Sequence, residues 1–326
     1  MIGKIHFLYL KIVTLGILCK ENFIKFIKGV FYMEMKKIDI HIHTNLFKGI
    51  ERFQGGTFAS PEEIREMYKK LGISKGVILP TVNPDCSFQI QSNEEAYFLT
   101  QKYPDLFYWF CNINPRFGNN TPDCDLSYFL EYYKKLGAKG VGEITVNMYF
   151  DDPYVENLFY HCQKCDMPVI FHIGPTLGGC YGLVDDLGLP RLEKELSKFP
   201  KLKFIGHSQP FWAEISSDLK EEERNGYPKG KVKPGRVVEL MRKYPNLYGD
   251  LSAGSGYNAV TRDPEFGYAF IEEFQDRLFF GTDICDPRND MRLSFWLDEA
   301  LEKGKISKTA YEKVCFRNAL DLLERN

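Results

Sequence analysis

Histidine and aspartate recur in this sequence where apolar runs end, and those residue types in that phase can hold a metal ion. The tightest group is Asp39-Ile40-His41-Ile42-His43, in which isoleucines alternate with polar residues. Alternation of that kind is strand periodicity, and residues two apart on a strand face the same side. His41 and His43 therefore present two imidazoles in one direction. Neutral imidazole suits zinc, iron and nickel, so the pair is half of a metal site. Three later segments repeat the order of apolar run, then ligand: Pro168 to His172, Leu202 to His207 and Leu278 to Asp283. One His-x-His pair is a weak signal. Followed in order by His172, His207 and Asp283, each closing a strand-like run, it is a strong one.

The elements that must position these groups are legible in the same way. Eight runs beyond Lys36 read as strands: 37–43, 74–80, 106–113, 138–144, 168–172, 202–207, 246–251 and 278–283. Amphipathic stretches separate them, among them Pro61 to Leu71, Asn93 to Tyr103, Leu126 to Leu136 and Pro153 to Cys165. Ser60 before Pro61 is an N-cap followed by a proline in the first turn, and Gly72 and Gly137 stand where helix C-caps belong. Strands alternating with helices imply a parallel sheet, and eight repeats match an α/β fold, the (β/α)8 TIM barrel. An open doubly wound sheet would carry a glycine-rich phosphate loop after its first strand, where His41, His43 and Thr44 stand instead. In a barrel the reactive groups gather at the C-terminal ends of the strands. His41, His43, Glu143, His172, His207 and Asp283 all fall at or near such ends.

Residues 35–326 are read as this one barrel domain. Residues 1–34 are apolar from Ile5 to Cys19 but interrupted by His6 and Lys11; they read as a leader or as a start placed too far upstream, with no part in the site. That stretch is shorter than the roughly 18 consecutive apolar residues of a membrane span. Lysine and arginine number 42 against 44 acidic residues, a net charge of −2 without a basic stripe, which argues against nucleic acid as a partner. Nine scattered cysteines, an odd number, exclude a complete disulfide framework and fit the reduced thiols of a cytoplasmic enzyme. The partner expected is a small-molecule substrate, not a membrane, and a homodimer is left open. Cys162 and Cys165 read as ordinary thiols on a helix, and His161 as an exposed helical residue. The long polar segment from Phe211 to Gly235 is either a lid or a solvated insertion. Phe211, Trp212 and Tyr257 are candidate pocket walls, and Gly178-Gly179 with Cys180-Tyr181-Gly182 a candidate pocket floor.

Asp39-Ile-His41-Ile-His43, Phe171-His172, Ile205-Gly206-His207, Gly281-Thr282-Asp283 and the C-terminal Asn318-Ala-Leu-Asp-Leu-Leu together resemble the amidohydrolase superfamily. The resemblance is to its amidohydrolase-related branch, which includes aminocarboxymuconate-semialdehyde decarboxylase, and covers about residues 36–325. It implies a divalent metal, zinc, at the barrel mouth, held by His41, His43, His172 and Asp283. His207 would then orient or polarise water or substrate from beside the metal. Glu143 is a further candidate ligand, to the one ion favoured or to a second. Chemistry consistent with this set is hydrolysis of a small amide, ester or lactone by metal-activated water, with Asp283 as general base and His207 as electrophile. The alternative is decarboxylation of a small unsaturated or aromatic carboxylate, which calls for a cation, with Arg288 the candidate. A barrel that binds metal or ligand without turnover is the second alternative, disfavoured because no ligand position is missing.

Overall fold

The structure is a computed structural model and describes residues 37–324; the reading of residues 1–34 lies outside the described residues. The strands are β1 (Ile38–Ile42), β2 (Lys75–Ile78), β3 (Phe107–Trp109), β4 (Val141–Ile144), β5 (Val169–Gly174), β6 (Leu183–Val184), β7 (Phe204–His207), β8 (Leu247–Asp250) and β9 (Leu278–Phe279). All eight anticipated strands form, and β6 is an added two-residue strand paired to the end of β5. Every named pairing is parallel.

The strands make two arcs, β1-β2-β3 and β4-β5-β7-β8-β9, and backbone hydrogen bonds join the arcs at both seams. At one seam Cys111 N–H donates to Gly140 O at 3.0 Å and Gly142 N–H to Cys111 O at 2.8 Å. At the other Ile40 N–H donates to Phe280 O at 3.0 Å and Asp283 N–H to His41 O at 2.8 Å. The eight strands thus run round a (β/α)8 barrel. β1, β4, β5 and β7 are buried along their whole length, as parallel strands covered on both faces must be.

The helices start and stop where their caps dictate. In Pro61–Leu71 the Ser60 hydroxyl accepts from Glu63 N–H while the Glu63 carboxylate accepts from Ser60 N–H, and Gly72 ends the helix at φ 66. Ile64, Tyr68 and Leu71 form its buried stripe. The last strand is shorter than its apolar run, because beyond Phe279 the chain follows β1 irregularly, through Phe280 O and Asp283 N–H, and reaches φ 56 at Asp283. Aspartate tolerates that left-handed conformation better than most residues.

Three expectations change. His161 is buried rather than exposed, with Nδ1 3.4 Å from Asp125, because the apolar side of its helix turns it inward. Phe211 and Trp212 are core residues, the Phe211 ring packing beneath Gly206 where a Cβ would come within 2.3 Å of it. The segment from Phe211 to Gly235 is tied down by Arg224, whose buried guanidinium donates to Asp185 O and Asp186 O and pairs with Glu214. Among the described residues every cysteine is free, and no helix is long and apolar enough to cross a membrane.

Candidate metal centre

Six side chains from five strand ends meet at the C-terminal mouth of the barrel. His41 and His43 come from β1 and the residue beyond it, Glu143 from β4, His172 from β5, His207 from β7, and Asp283 from the turn after β9. The Nε2 atoms of His41 and His43 face each other at 3.1 Å, and Asp283 Oδ1 is 3.5 Å from each. His207 Nε2 is 3.8 Å from Asp283 Oδ2. Glu143 lies in the middle. Its Oε2 is 3.6 Å from His41 and 3.4 Å from His43, while its Oε1 is 2.7 Å from His172 Nδ1 and 3.7 Å from His207 Nε2.

This donor set fits a cation. Ligand atoms of three overlapping trios, His41–His207–Asp283, His41–His43–Glu143 and Glu143–His172–His207, each lie within 4.8 Å of one another. Two imidazole nitrogens aimed at each other, with carboxylate oxygens around them, converge their lone pairs on a common point, as metal ligands do. The geometry gives no reason to set His207 apart from the other imidazoles. His172 joins His41, His43 and Asp283 through Glu143 and His207.

Buried carboxylates hold the centre from behind. Asp250, at the end of β8, accepts from His41 Nδ1 at 2.7 Å and lies 3.2 Å from His207 Nδ1. The Ser252 hydroxyl donates to the same Oδ2 at 2.8 Å and Ser252 N–H to Oδ1 at 2.9 Å. Burial opposes the charge on Asp250, yet His41 and His207 outweigh it and keep the carboxyl well below its usual range. With Nδ1 engaged, both histidines turn Nε2 toward the centre. His43 is fixed likewise through Nδ1 and Leu79 O at 2.9 Å. Asp39 clamps the two ends of the site together, accepting from His41 N–H at 3.1 Å, Thr282 N–H at 2.8 Å and Tyr68 O–H at 2.8 Å. Burial pushes its carboxyl up to about 7 against those bonds.

Charges inside the cluster shift one another. Burial disfavours protonated His41, but Asp283, Glu143 and Asp250 together raise its pKa well above the ordinary value. Burial likewise disfavours Glu143 as an anion, and His41 and His172 reverse the effect and lower it strongly. For His172 burial prevails over Glu143 and the pKa falls. Without a metal, then, the surrounding carboxylates favour the protonated form of His41, with which a metal must compete.

A cavity of about 320 Å³ opens beside the cluster, lined by His43, Glu143 and Asp283 together with Arg52, Asn83 and Tyr181. Arg288, the cation expected there, does not line it. Its guanidinium is largely exposed and bound to Asp286 and to Gly55 O, because it leaves the chain on the outer side of the loop after Asp283. The cation that lines the cavity is Arg52, 3.1 Å from Cys285 Sγ and 2.7 Å from Asp286. None of the residues from Phe211 to Gly235 lines this cavity; Tyr227 and Tyr257 line a separate one of about 350 Å³.

Asp250, Arg52 and Tyr181 were given no role by sequence reasoning beyond Tyr181's place in the pocket floor. Asp250 carried a usable signal, since it ends the seventh barrel strand in the phase of the other ligands. Arg52 had none, standing in a loop without periodicity.

The chain matches the amidohydrolase family over residues 38–325. It belongs to that family. The family is one of metal-dependent hydrolases and decarboxylases, and the chain is an enzyme of that class. Among solved structures it is similar to an uncharacterized TIM-barrel protein of Bordetella bronchiseptica at 21% identity, over 89% of this chain and 99% of that one, with a TM-score of 0.62. A dihydroxybenzoic acid decarboxylase of Polaromonas, with bound manganese and 2-nitroresorcinol, aligns at 16% identity over 89% and 97% with a TM-score of 0.54. A probable 2-pyrone-4,6-dicarboxylic acid hydrolase of Acinetobacter baumannii aligns at 14% over 89% and 100% with a TM-score of 0.51. At such identities these likenesses speak for the fold. No curated protein matches.

Proposed function

We propose that this amidohydrolase is a decarboxylase of a small, planar carboxylate. The observation that carries the reading is the joint presence, in one cavity, of a partly exposed carboxylate at the metal centre, Asp283, and a cation, Arg52. His41, His43, His172, His207, Glu143 and Asp283 would hold the metal, proposed as zinc from the imidazole-rich donor set. When bound, the ion polarises an oxygen ligand as a Lewis acid. Glu143 presents one oxygen to His41 and His43 and the other to His172 and His207, a division that supports two ions, which these residues would hold between them.

Arg52 orients the substrate through a carboxylate. Asp283 delivers a proton to the carbon bearing the departing carboxylate. The carbon–carbon bond breaks, its electron pair stays with the substrate carbon framework, carbon dioxide leaves, and Asp283 recovers a proton from solvent. Hydrolysis of a lactone is the second reading. There Asp283 accepts the proton of the attacking water and hands it to the leaving oxygen.

Carbon dioxide release and loss of ring absorbance separate the two. Metal-loaded protein is assayed with 2,6-dihydroxybenzoate and 5-carboxyvanillate for released carbon dioxide, and with 2-pyrone-4,6-dicarboxylate for ring opening. Ring opening without carbon dioxide from any carboxylate would overturn the decarboxylase reading in favour of the hydrolase.

A further inference from the structure

Where β2, β3 and β4 end beside the metal centre, one buried amide ties the three together. Asn112, three residues past β3 and 1% exposed, donates from Nδ2 to Pro80 O at 2.8 Å and to Glu143 O at 2.7 Å. Both partners are carbonyl oxygens, so the end of the amide that faces them is its donor end, with one hydrogen for each. Asn93 holds the backbone of Asn112 in turn. Asn112 N–H donates to Asn93 Oδ1 at 2.7 Å, and Asn93 Nδ2 donates to Asn112 O at 2.9 Å.

The sheet is already joined without this side chain. Phe110 N–H donates to Ile78 O at 3.0 Å and Gly142 N–H to Cys111 O at 2.8 Å, so backbone bonds link the three strands. What the amide adds falls on two residues that matter to the cluster. Pro80 follows Leu79, whose carbonyl accepts from His43 Nδ1 at 2.9 Å and so sets the direction of that imidazole. Glu143 is the carboxylate in the middle of the cluster, and Asn112 grips its backbone carbonyl. The two side chains governed in this way meet at 3.4 Å, His43 Nε2 to Glu143 Oε2. The amide thus spans from behind the pair that faces each other in front. Aspartate at this place would only accept, and serine would bring a single hydrogen.

We propose that Asn112 is a positioning residue of the metal centre, setting the spacing of His43 and Glu143 and with it the affinity of the His41–His43–Glu143 trio for its ion. The assignment rests on the metal-centre reading above and adds to it a residue that touches neither metal nor substrate.

The test is calorimetric titration of zinc into the full-length protein stripped of metal, as wild type, Asn112→Leu and Leu99→Ala. Leucine keeps roughly the shape of asparagine but offers no hydrogen to either carbonyl. Leu99 is fully buried on the helix Asn93–Lys102 and controls for stability lost while the amide stays in place. Asn112→Leu is expected to weaken zinc by about tenfold or more, the scale on which supporting hydrogen bonds act at metal sites, and to shift the visible absorption bands of the cobalt-loaded protein. Leu99→Ala should stay below that threshold and keep the wild-type bands. A smaller loss in Asn112→Leu, or unchanged cobalt bands, overturns the assignment and leaves the metal centre standing. A loss in Leu99→Ala as large as that in Asn112→Leu overturns it too, reducing Asn112 to general support of the barrel. Should Asn112→Leu not fold, Asn112→Ser is judged by the same limits. Wild-type protein that takes up neither zinc nor cobalt overturns the metal reading, and the assignment falls with it.

Discussion

Replacing Asp250 by Asn changes one oxygen to an amide group at the point where two metal-centre imidazoles are held. Three contacts converge on Oδ2, from His41 Nδ1 at 2.7 Å, His207 Nδ1 at 3.2 Å and the Ser252 hydroxyl at 2.8 Å, while Oδ1 accepts from Ser252 N–H at 2.9 Å. All four partners are served by acceptors. An asparagine amide nitrogen can only donate, so whichever way it turns it faces at least one donor. One buried donor left unsatisfied costs about 1–3 kcal/mol, and this sets the expected loss of stability for the metal-free variant in urea denaturation. Metal affinity suffers separately, since losing the partner behind a ligating histidine typically lowers it about 10–100-fold. With two histidines affected, the expected decrease lies toward or beyond the upper end of that range. Competition titration of zinc against a chromophoric chelator measures it. Ser252→Ala removes one donor and leaves the carboxylate, so it should lose far less. An Asp250→Asn protein with zinc affinity within threefold of wild type would refute the idea that Asp250 aims these ligands.

Glu143 presents separate oxygens to the two halves of the cluster, so metal analysis should find two ions per chain in the wild type and at most one in Glu143→Ala. Zinc binding should release protons, because the metal must compete with the protonated form of His41 that its raised pKa favours. Titrations in buffers of different ionisation enthalpy read that release, and loading should weaken as pH falls; no buffer dependence would contradict it. Arg52→Ala should lower the affinity for planar carboxylates by about 10–100-fold, the scale of a lost charge-assisted hydrogen bond. Arg288→Ala, removing a guanidinium outside the cavity, should weaken them by a smaller factor in the same calorimetric titration.

Much of this molecule could be read before its coordinates, and the reasons lie in particular residues. His41, His43, His172, His207, Asp283 and Glu143 stand at strand ends, and the strands themselves announce their period or their apolar runs, so a barrel puts these residues at one mouth. The Ser60 N-cap followed by Pro61 is equally local and fixed a helix start to the residue. What stayed hidden depends on contacts between distant segments. Arg52 reaches the cavity because its loop folds against Cys285 and Asp286, more than two hundred residues away, and nothing near Arg52 encodes that approach. Arg288 was misplaced for the same reason. Its distance from Asp283 along the chain says nothing about which side of the loop its side chain leaves from. His207 looked supernumerary because four ligands already sufficed, yet it stands in one trio with His41 and Asp283 and in another with Glu143 and His172.

Asp286 is shared by two guanidinium groups, Arg52 and Arg288, and Arg288 in turn holds Gly55 O at 2.6 Å. An anion entering the cavity therefore meets an arginine that already has a carboxylate partner. For the proposed substrate, binding at the guanidinium nitrogen that now faces Asp286 would exchange one anion for another at Arg52, with a free energy set by the difference between two ion pairs. Arg288 acts on that difference without touching the ligand, because it keeps Asp286 satisfied when Arg52 turns away. The same three side chains connect the loop at residue 55 to the loop that follows Asp283. Occupancy of the cavity is consequently coupled to how firmly those two loops adhere, and ligand affinity can be tuned from the protein surface by substitutions that leave every lining residue in place.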